Sequence, residues 1–169
     1  MMGARSGLRL ATSVSDSFLD ALGAVIINFS ALEHSLSVMI WLLLDDREGK
    51  ATRPYRIVTS QLSFRQLLNV FATLCRERPE LNHEELETLV HDCDKVNERR
   101  NSILHSLWVQ GTPSGSPQAE STRHIARLKK FDTQCEVLTR GQIVDVADRL
   151  MDLDVQVRTF VPDHLLQLG

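Results

Sequence analysis

Apolar residues recur at intervals of three and four along four stretches of the chain, which predicts four amphipathic helices. The first stretch covers about residues 15–45 and carries the longest apolar stripe, which consists of Leu22, Ile26, Phe29, Leu32, Leu36, Ile40 and Leu43. Ser13 followed by Asp16 fits a capping box at its start. The polar run 45–49 ends on a glycine, which is typical of a helix stop.

Residues 21–44 are long and apolar enough to raise the question of a membrane span. Asn28, Glu33 and His34 lie near the middle of this segment, and each of these side chains is costly to place in hydrocarbon. We therefore predict a buried core helix and no membrane association. Residues 1–12 lack the long apolar run of a secretory signal and are expected to form a flexible tail.

Three further helices are predicted at about 63–78, 82–105 and 139–161, and prolines follow the first and the last of them. Each begins with residues that cap free backbone N–H groups, namely Ser63 with Gln66, Asn82, and Thr139 with Gln142. The helices and their short connections predict an antiparallel bundle.

The segments between these helices differ in character. Residues 50–58 give no clear pattern, and Pro54 argues against a helix there. Residues 106–138 contain a Gly/Pro/Ser-rich loop and short stretches of alternating or β-branched residues, which predict two or three short strands. We expect a mainly all-α fold, an antiparallel four-helix bundle with a small β-hairpin-like insertion between the third and fourth helices, in a single domain at 13–169.

Composition narrows the function classes only slightly. The 169 residues suit one domain, and a net charge of −3 gives no overall electrostatic signature of nucleic-acid binding. RNA binding would therefore need a local basic cluster. Cys75, Cys93 and Cys135 are odd in number and far apart, which indicates reduced thiols in a cytoplasmic protein and neither a disulfide framework nor a zinc site.

The third predicted helix ends within the sequence DKVNERRNSILHSLW, residues 94–108. In this sequence charged and polar residues lie next to the apolar stripe of the helix. At 3.6 residues per turn, position 100 falls on that stripe, yet it holds an arginine. Asn97, Asn101 and His105 follow one another at intervals of four and share one helix face. Because the side chain of Arg100 is long, the sequence predicts one guanidinium, the amide of Asn101 and the imidazole of His105 around one patch.

An unpaired cation that faces a core is costly, so we expect an anion beside Arg100. One candidate is Glu33 of the first helix, in which case Arg100 and Glu33 form a structural pair. The other is a phosphate group, in which case the patch is a reaction centre. Arg78 and His83 repeat the arginine-to-histidine spacing but lie across a proline, so they share no rigid frame.

The motif of Arg100, Asn101 and His105, followed by the tail HSLW, resembles the HEPN superfamily, and the first-helix phrase NFSALEHSL is also similar in character. The resemblance implies an all-α bundle, homodimers with paired motifs, and often metal-independent RNA cleavage. It also implies that some relatives are toxins encoded beside a nucleotidyltransferase-type antitoxin and that others are inactive.

On this reading His105 is the general acid or base, because imidazole titrates near neutral pH. Arg100 would clamp the phosphate, Asn101 would orient it, and Glu33 and Asn97 would support the site. RNA is then the substrate, and no metal or other cofactor is expected. The alternative is a catalytically inactive helical module that binds a partner protein or RNA.

A local basic run lies in the predicted insertion. It could follow an RNA backbone or form the solvated face of a strand, and its basic residues are Arg123, Arg127, Lys129 and Lys130.

Overall fold

The structure is a computed structural model that describes residues 15–44, 52–109, 118–125 and 130–161. Side chains are described over residues 15–44, 55–106 and 138–161. These residues form five helices and three strands, and the prediction of a mainly α-helical fold is confirmed. In chain order the elements are α1 Asp16–Leu44, α2 Thr52–Thr59, α3 Phe64–Arg76, α4 His83–Leu104, β1 Leu107–Val109, β2 Gln118–Ile125, β3 Lys130–Val137 and α5 Arg140–Phe160.

Helices α1 and α5 pack along each other and run in the same direction. The Asn28 side-chain amide donates to the Ala147 carbonyl over 2.8 Å, and the Ser35 hydroxyl donates to Asp154 Oδ1 over 2.5 Å. Both pairs are 119 residues apart in the chain, so the two helices advance in step. The predicted antiparallel arrangement is therefore wrong for this pair.

Helix α3 also runs in the direction of α1. The rings of Phe29 and Phe64 lie 4.9 Å apart, and Arg78, two residues beyond α3, donates to the Leu43 carbonyl near the end of α1. Helix α4 runs in the opposite direction. Arg65 at the start of α3 pairs with Glu98 in the second half of α4, and Arg76 at the end of α3 pairs with Glu87 near the start of α4.

The parallel course of α1 and α3 is made possible by α2, which the sequence did not predict. Trp41 of α1 donates from Nε1 to the Thr59 hydroxyl over 2.8 Å, and the Arg56 guanidinium lies 4.9 Å above the Trp41 ring. The chain thus returns along the end of α1 before α3 begins. Pro54 is compatible with this helix because it occupies the first turn, where no intrahelical partner awaits its nitrogen.

The predicted caps account for three of the helix starts. Asn82 accepts hydrogen bonds from the backbone N–H groups of Glu84 and Glu85. Thr139 accepts from the N–H of Gln142 and donates its own N–H to that side chain, and the N–H of Ser63 donates to Gln66 in the same way. The cap predicted at Ser13 lies outside the described residues.

The buried stripe of α1 is rotated slightly from the predicted one. Ile26 is 50% exposed, whereas its neighbour Val25 is fully buried, because successive steps of four residues drift around the helix away from the side that faces α3 and α5. Ten residues of α1 are buried. Helix α1 is long and apolar enough to cross a membrane, but the core helix of a soluble protein meets the same criteria of length and composition.

The strands between α4 and α5 form one antiparallel sheet in the order β1-β2-β3. Arg123 lies opposite Asp132, and Lys130 lies opposite Ile125, in the β2–β3 register. Of the basic residues predicted to follow RNA, Arg127 and Lys129 lie outside the described residues. Leu138, which follows β3, is buried and connects the sheet to the helical core.

Cys75 on α3 and Cys93 on α4 are buried, free thiols. The pKa of each thiol is raised to about 12, mainly by burial, and at Cys93 the neighbouring Asp92 and Asp94 contribute to this rise. These two cysteines are therefore core residues without nucleophilic character.

Asp154 links α1 to α5, so Asp154→Ala should lower the free energy of unfolding by about 1–3 kcal/mol. This carboxylate is 8% exposed, accepts from Ser35 and pairs with Arg158 over 2.7 Å. Urea unfolding followed by circular dichroism measures the change. Asp152→Ala, an exposed acid on the same helix, is the matched control, and equal effects of both variants would contradict a specific role for Asp154.

A second expectation concerns thiol reactivity. In a Cys135→Ser background the native protein should react negligibly with an aromatic disulfide reagent at pH 8, because both remaining thiols are buried and protonated. Unfolding in guanidinium should then release two reactive thiols per chain. Rapid reaction of the folded protein would show that one of these side chains reaches solvent.

Candidate functional site

The polar residues of the motif on α4 form a hydrogen-bonded chain. Arg100 donates from Nη1 to Asn101 Oδ1 over 2.7 Å, and Asn101 donates from Nδ2 to Asn97 Oδ1 over 3.5 Å. The intervals of four place Asn97 and Asn101 on one face of the helix, and the long arginine side chain reaches the same face. The sequence predicted that Arg100 and Asn101 meet His105 at one patch, and the structure joins the first two of these side chains to Asn97.

The guanidinium of Arg100 lies over an aromatic ring of another helix. Its central carbon is 4.0 Å from the ring centroid of Phe29, which is buried in α1 and packs on Phe64. A cation in this position is attracted by the electron-rich face of the ring. Phe29 and Asn101 together therefore fix where the arginine head group lies.

Arg100 has no anionic partner in contact among the described residues. Its Nε is buried and forms no hydrogen bond, and no described carboxylate forms an ion pair with the guanidinium. Burial lowers the pKa of Arg100, while the more distant negative charge of Glu33 acts in the opposite direction. The structure shows no direct ion pair between Arg100 and Glu33, although the two residues line the same pocket and the charge of Glu33 favours the charged guanidinium.

These groups line an open pocket of about 490 Å³ between α1, the start of α3 and α4. We call it the arginine pocket, and its polar lining residues include Glu33, Arg65, Asn97, Glu98, Arg100 and Asn101. Of the two arginines, Arg65 lies 3.6 Å from Asp94 and 3.8 Å from Glu98. Both arginines keep N–H donors for an added anion, and they differ in that Arg65 lies beside two carboxylates whereas Arg100 pairs with none among the described residues.

His105 lies outside this pocket. It is the C-cap residue of α4, its backbone N–H donates to the Asn101 carbonyl over 3.0 Å, and it is exposed. Four residues along a helix correspond to about 6 Å, so the imidazole begins one turn beyond Asn101. The fold therefore brings Arg100, Asn101, Asn97 and Glu33 together and leaves His105 at the solvent-exposed end of the same helix.

Sequence reasoning missed the contributions of two other helices to the pocket. Apolar spacing places Phe29 in the core stripe, and the capping pattern that begins at Ser63 and spans Arg65 indicates only the beginning of a helix. The capping signal at Ser63 did mark a helix N-terminus, where backbone N–H groups favour negative charge. Its position beside Arg100 depends on the course of α2, for which the sequence held no clear signal.

No group of three or more histidine, cysteine, aspartate or glutamate side chains in the described part of the chain is placed to hold a metal ion. The arginine pocket contains two guanidinium groups, two amides and two carboxylates, and its guanidinium and amide donors suit a phosphate oxygen.

If Arg100 is retained for ligand binding, Arg100→Met should change the free energy of unfolding by less than about 1 kcal/mol. Methionine keeps a flexible, polarisable contact with the Phe29 ring and removes a buried, unpartnered Nε. Leu89→Ala, a truncation in the buried face of α4, is the comparison and should cost about 2–5 kcal/mol. A loss of the same size for Arg100→Met would show that the arginine is structural.

Comparisons of the chain with protein-family models, with curated proteins and with solved structures found no match. The resemblance to the HEPN superfamily remains a prediction that rests on the residues of the motif and on the helical fold.

Proposed function

We propose that this chain is a metal-independent endoribonuclease of the HEPN type, which cleaves RNA by attack of the ribose 2′-hydroxyl. In this proposal α1, α3, α4 and α5 act as the four-helix bundle, and the strands are its insertion. The observation that carries it is the guanidinium of Arg100, which has no ion-pair partner among the described residues and lies in an open pocket. A partly desolvated cation held on an aromatic ring is well suited to bind a phosphodiester.

The proposed reaction needs one proton removed and one proton supplied. A base takes the proton of the 2′-hydroxyl, the 2′-oxygen forms a bond to phosphorus, and the bond from phosphorus to the 5′-oxygen breaks. The departing oxygen receives a proton, so the products carry a 2′,3′-cyclic phosphate and a 5′-hydroxyl. Arg100 stabilises the charge on the non-bridging oxygens, and Asn101 orients both the guanidinium and the phosphate.

His105 is the proposed proton carrier, and its position supports a role for a second copy of the chain. The imidazole is exposed at the end of α4, so it is accessible to another molecule. A homodimer that places two α4 ends together would supply two imidazoles, one as base and one as acid. We therefore propose a homodimer as the active form.

The proposal extends to biological context. A ribonuclease of this type would act as a toxin or defence effector in the cytoplasm, held inactive by a partner such as a nucleotidyltransferase-type antitoxin.

The second candidate function is a catalytically inactive module that binds RNA or a protein. It is favoured by one observation, the absence of His105 from the pocket that Arg100 lines.

Incubation of the purified protein with single-stranded RNA in excess EDTA tests the enzyme. Cleavage should persist, leave cyclic phosphate ends, and fall by about 10²–10⁴-fold in His105→Ala, because general acid–base catalysis contributes that much. Arg100→Ala should lose activity as well. His91→Ala removes another exposed histidine of α4 and should cleave like the wild type.

Loss of cleavage on addition of EDTA, or equal activity of both histidine variants, would reject this mechanism. RNA binding that depends on Arg100 without any cleavage would support the inactive module instead. Light scattering of the active protein gives its mass, and full activity of a strictly monomeric form would reject the homodimer.

A further inference from the structure

A second pocket adjoins the arginine pocket and shares one side chain with it. It has a volume of about 380 Å³ and lies between α1 and the segment that joins α2 to α3. We call it the serine pocket because Ser30, Ser37 and Ser60 line it. Glu33 lines both pockets and therefore lies on their boundary.

Each of the three serine hydroxyls in the serine pocket donates its hydrogen to a backbone carbonyl. Ser30 donates to the Ile26 carbonyl, Ser37 to the Glu33 carbonyl, and Ser60 to the Ile57 carbonyl, over 2.8–3.1 Å. A hydroxyl that donates to its own helix keeps only lone pairs for a ligand. These three oxygens are therefore acceptors.

Glu33 adds a carboxylate to the same surface. Among the described residues it forms no ion pair, so its oxygens also remain acceptors. The serine pocket thus offers mainly acceptors, together with the imidazole of His34, which can donate or accept, whereas the arginine pocket offers the donors of Arg100. One ligand that occupies both needs an anionic group joined over a short distance to a group rich in N–H donors.

A nucleotide of RNA has these two parts. Its phosphate suits the arginine pocket, and the bases adenine, cytosine and guanine carry an exocyclic amino group that donates to a carboxylate. Uracil has no amino group, and its single donor on this edge, N3–H, lies between two carbonyl oxygens that would face the oxygens of Glu33 and the serines. The same surface that attracts an amino base therefore disfavours uracil.

We propose that the serine pocket binds the base next to the phosphate held by Arg100, and that Glu33 selects bases with an exocyclic amino group over uracil. Glu33 is then a specificity-determining residue of the proposed RNA site, and this inference rests on the proposed function for its ligand. It predicts a base preference, which phosphate binding alone does not.

The test measures binding of single-stranded hexamers of adenosine, cytidine or uridine with 2′-O-methyl riboses, which lack the attacking hydroxyl and cannot be cleaved. Fluorescence anisotropy with the full-length wild-type chain should show the adenosine and cytidine hexamers binding about tenfold more tightly than the uridine hexamer. In Glu33→Gln the amide can donate as well as accept, so the ratio should fall to about one.

Glu98→Gln is the matched control, because Glu98 lines the arginine pocket and is absent from the lining of the serine pocket. It removes the same negative charge near the phosphate, so affinity for all three hexamers should rise while the base preference stays. Equal binding of the three hexamers to the wild type, or an unchanged preference in Glu33→Gln, overturns the inference.

Failure of the inference and failure of the nuclease are distinguishable. A base preference that depends on Glu33, in a protein that does not cleave ordinary RNA, supports this inference and rejects the enzyme. Cleavage of RNA without any base preference supports the enzyme and rejects this inference. If none of the hexamers binds, the inference is rejected, and the enzyme is rejected as well only if ordinary RNA is not cleaved.

Discussion

The candidate site depends on the position of a single guanidinium, that of Arg100. Arg100 lies where the apolar stripe of α4 would continue, and water is partly excluded from its head group. Such a cation is costly unless something compensates for its lost hydration. Phe29 and Asn101 supply part of this compensation, and the described carboxylates supply none in direct contact. This unfilled capacity is what makes the arginine pocket a candidate binding site.

The helices hold that guanidinium from three directions. Helix α4 carries it, α1 places the Phe29 ring beneath it, and the start of α3 forms the far wall of the pocket. This arrangement requires α3 to begin beside the middle of α1, and α2 brings the chain back to that point. The contacts of Trp41 with Thr59 and Arg56 hold α2 in place. The short helix that contributes least to the core is therefore important for the geometry of the site.

Charge alternates across the surface around Arg100. Arg65 is already engaged by Asp94 and Glu98, so it screens the acids of α4 more than it attracts a ligand. Glu33 lies near Arg100 without contacting it and faces a neighbouring pocket whose hydroxyls accept hydrogen bonds. In the proposed function, a cation with acceptors beside it would discriminate among anions by the group attached to them. His105 is exposed, so in the proposed reaction proton transfer would depend on a second molecule at the end of α4.

The sequence by itself determined the features that depend on residues close together in the chain. The caps at Asn82 and Thr139, the extent of α4 and the meeting of Arg100 with Asn101 all follow from helical spacing and local hydrogen bonds. Only the tertiary structure decided that α1 is parallel to α3 and α5, that Phe29 lies under the guanidinium, and that Glu33 does not pair with it. The physical reason is that apolar periodicity specifies which face of a helix is buried but is unchanged when the helix direction is reversed. Direction, and with it the partner of each buried polar group, is set by contacts between residues far apart in the sequence.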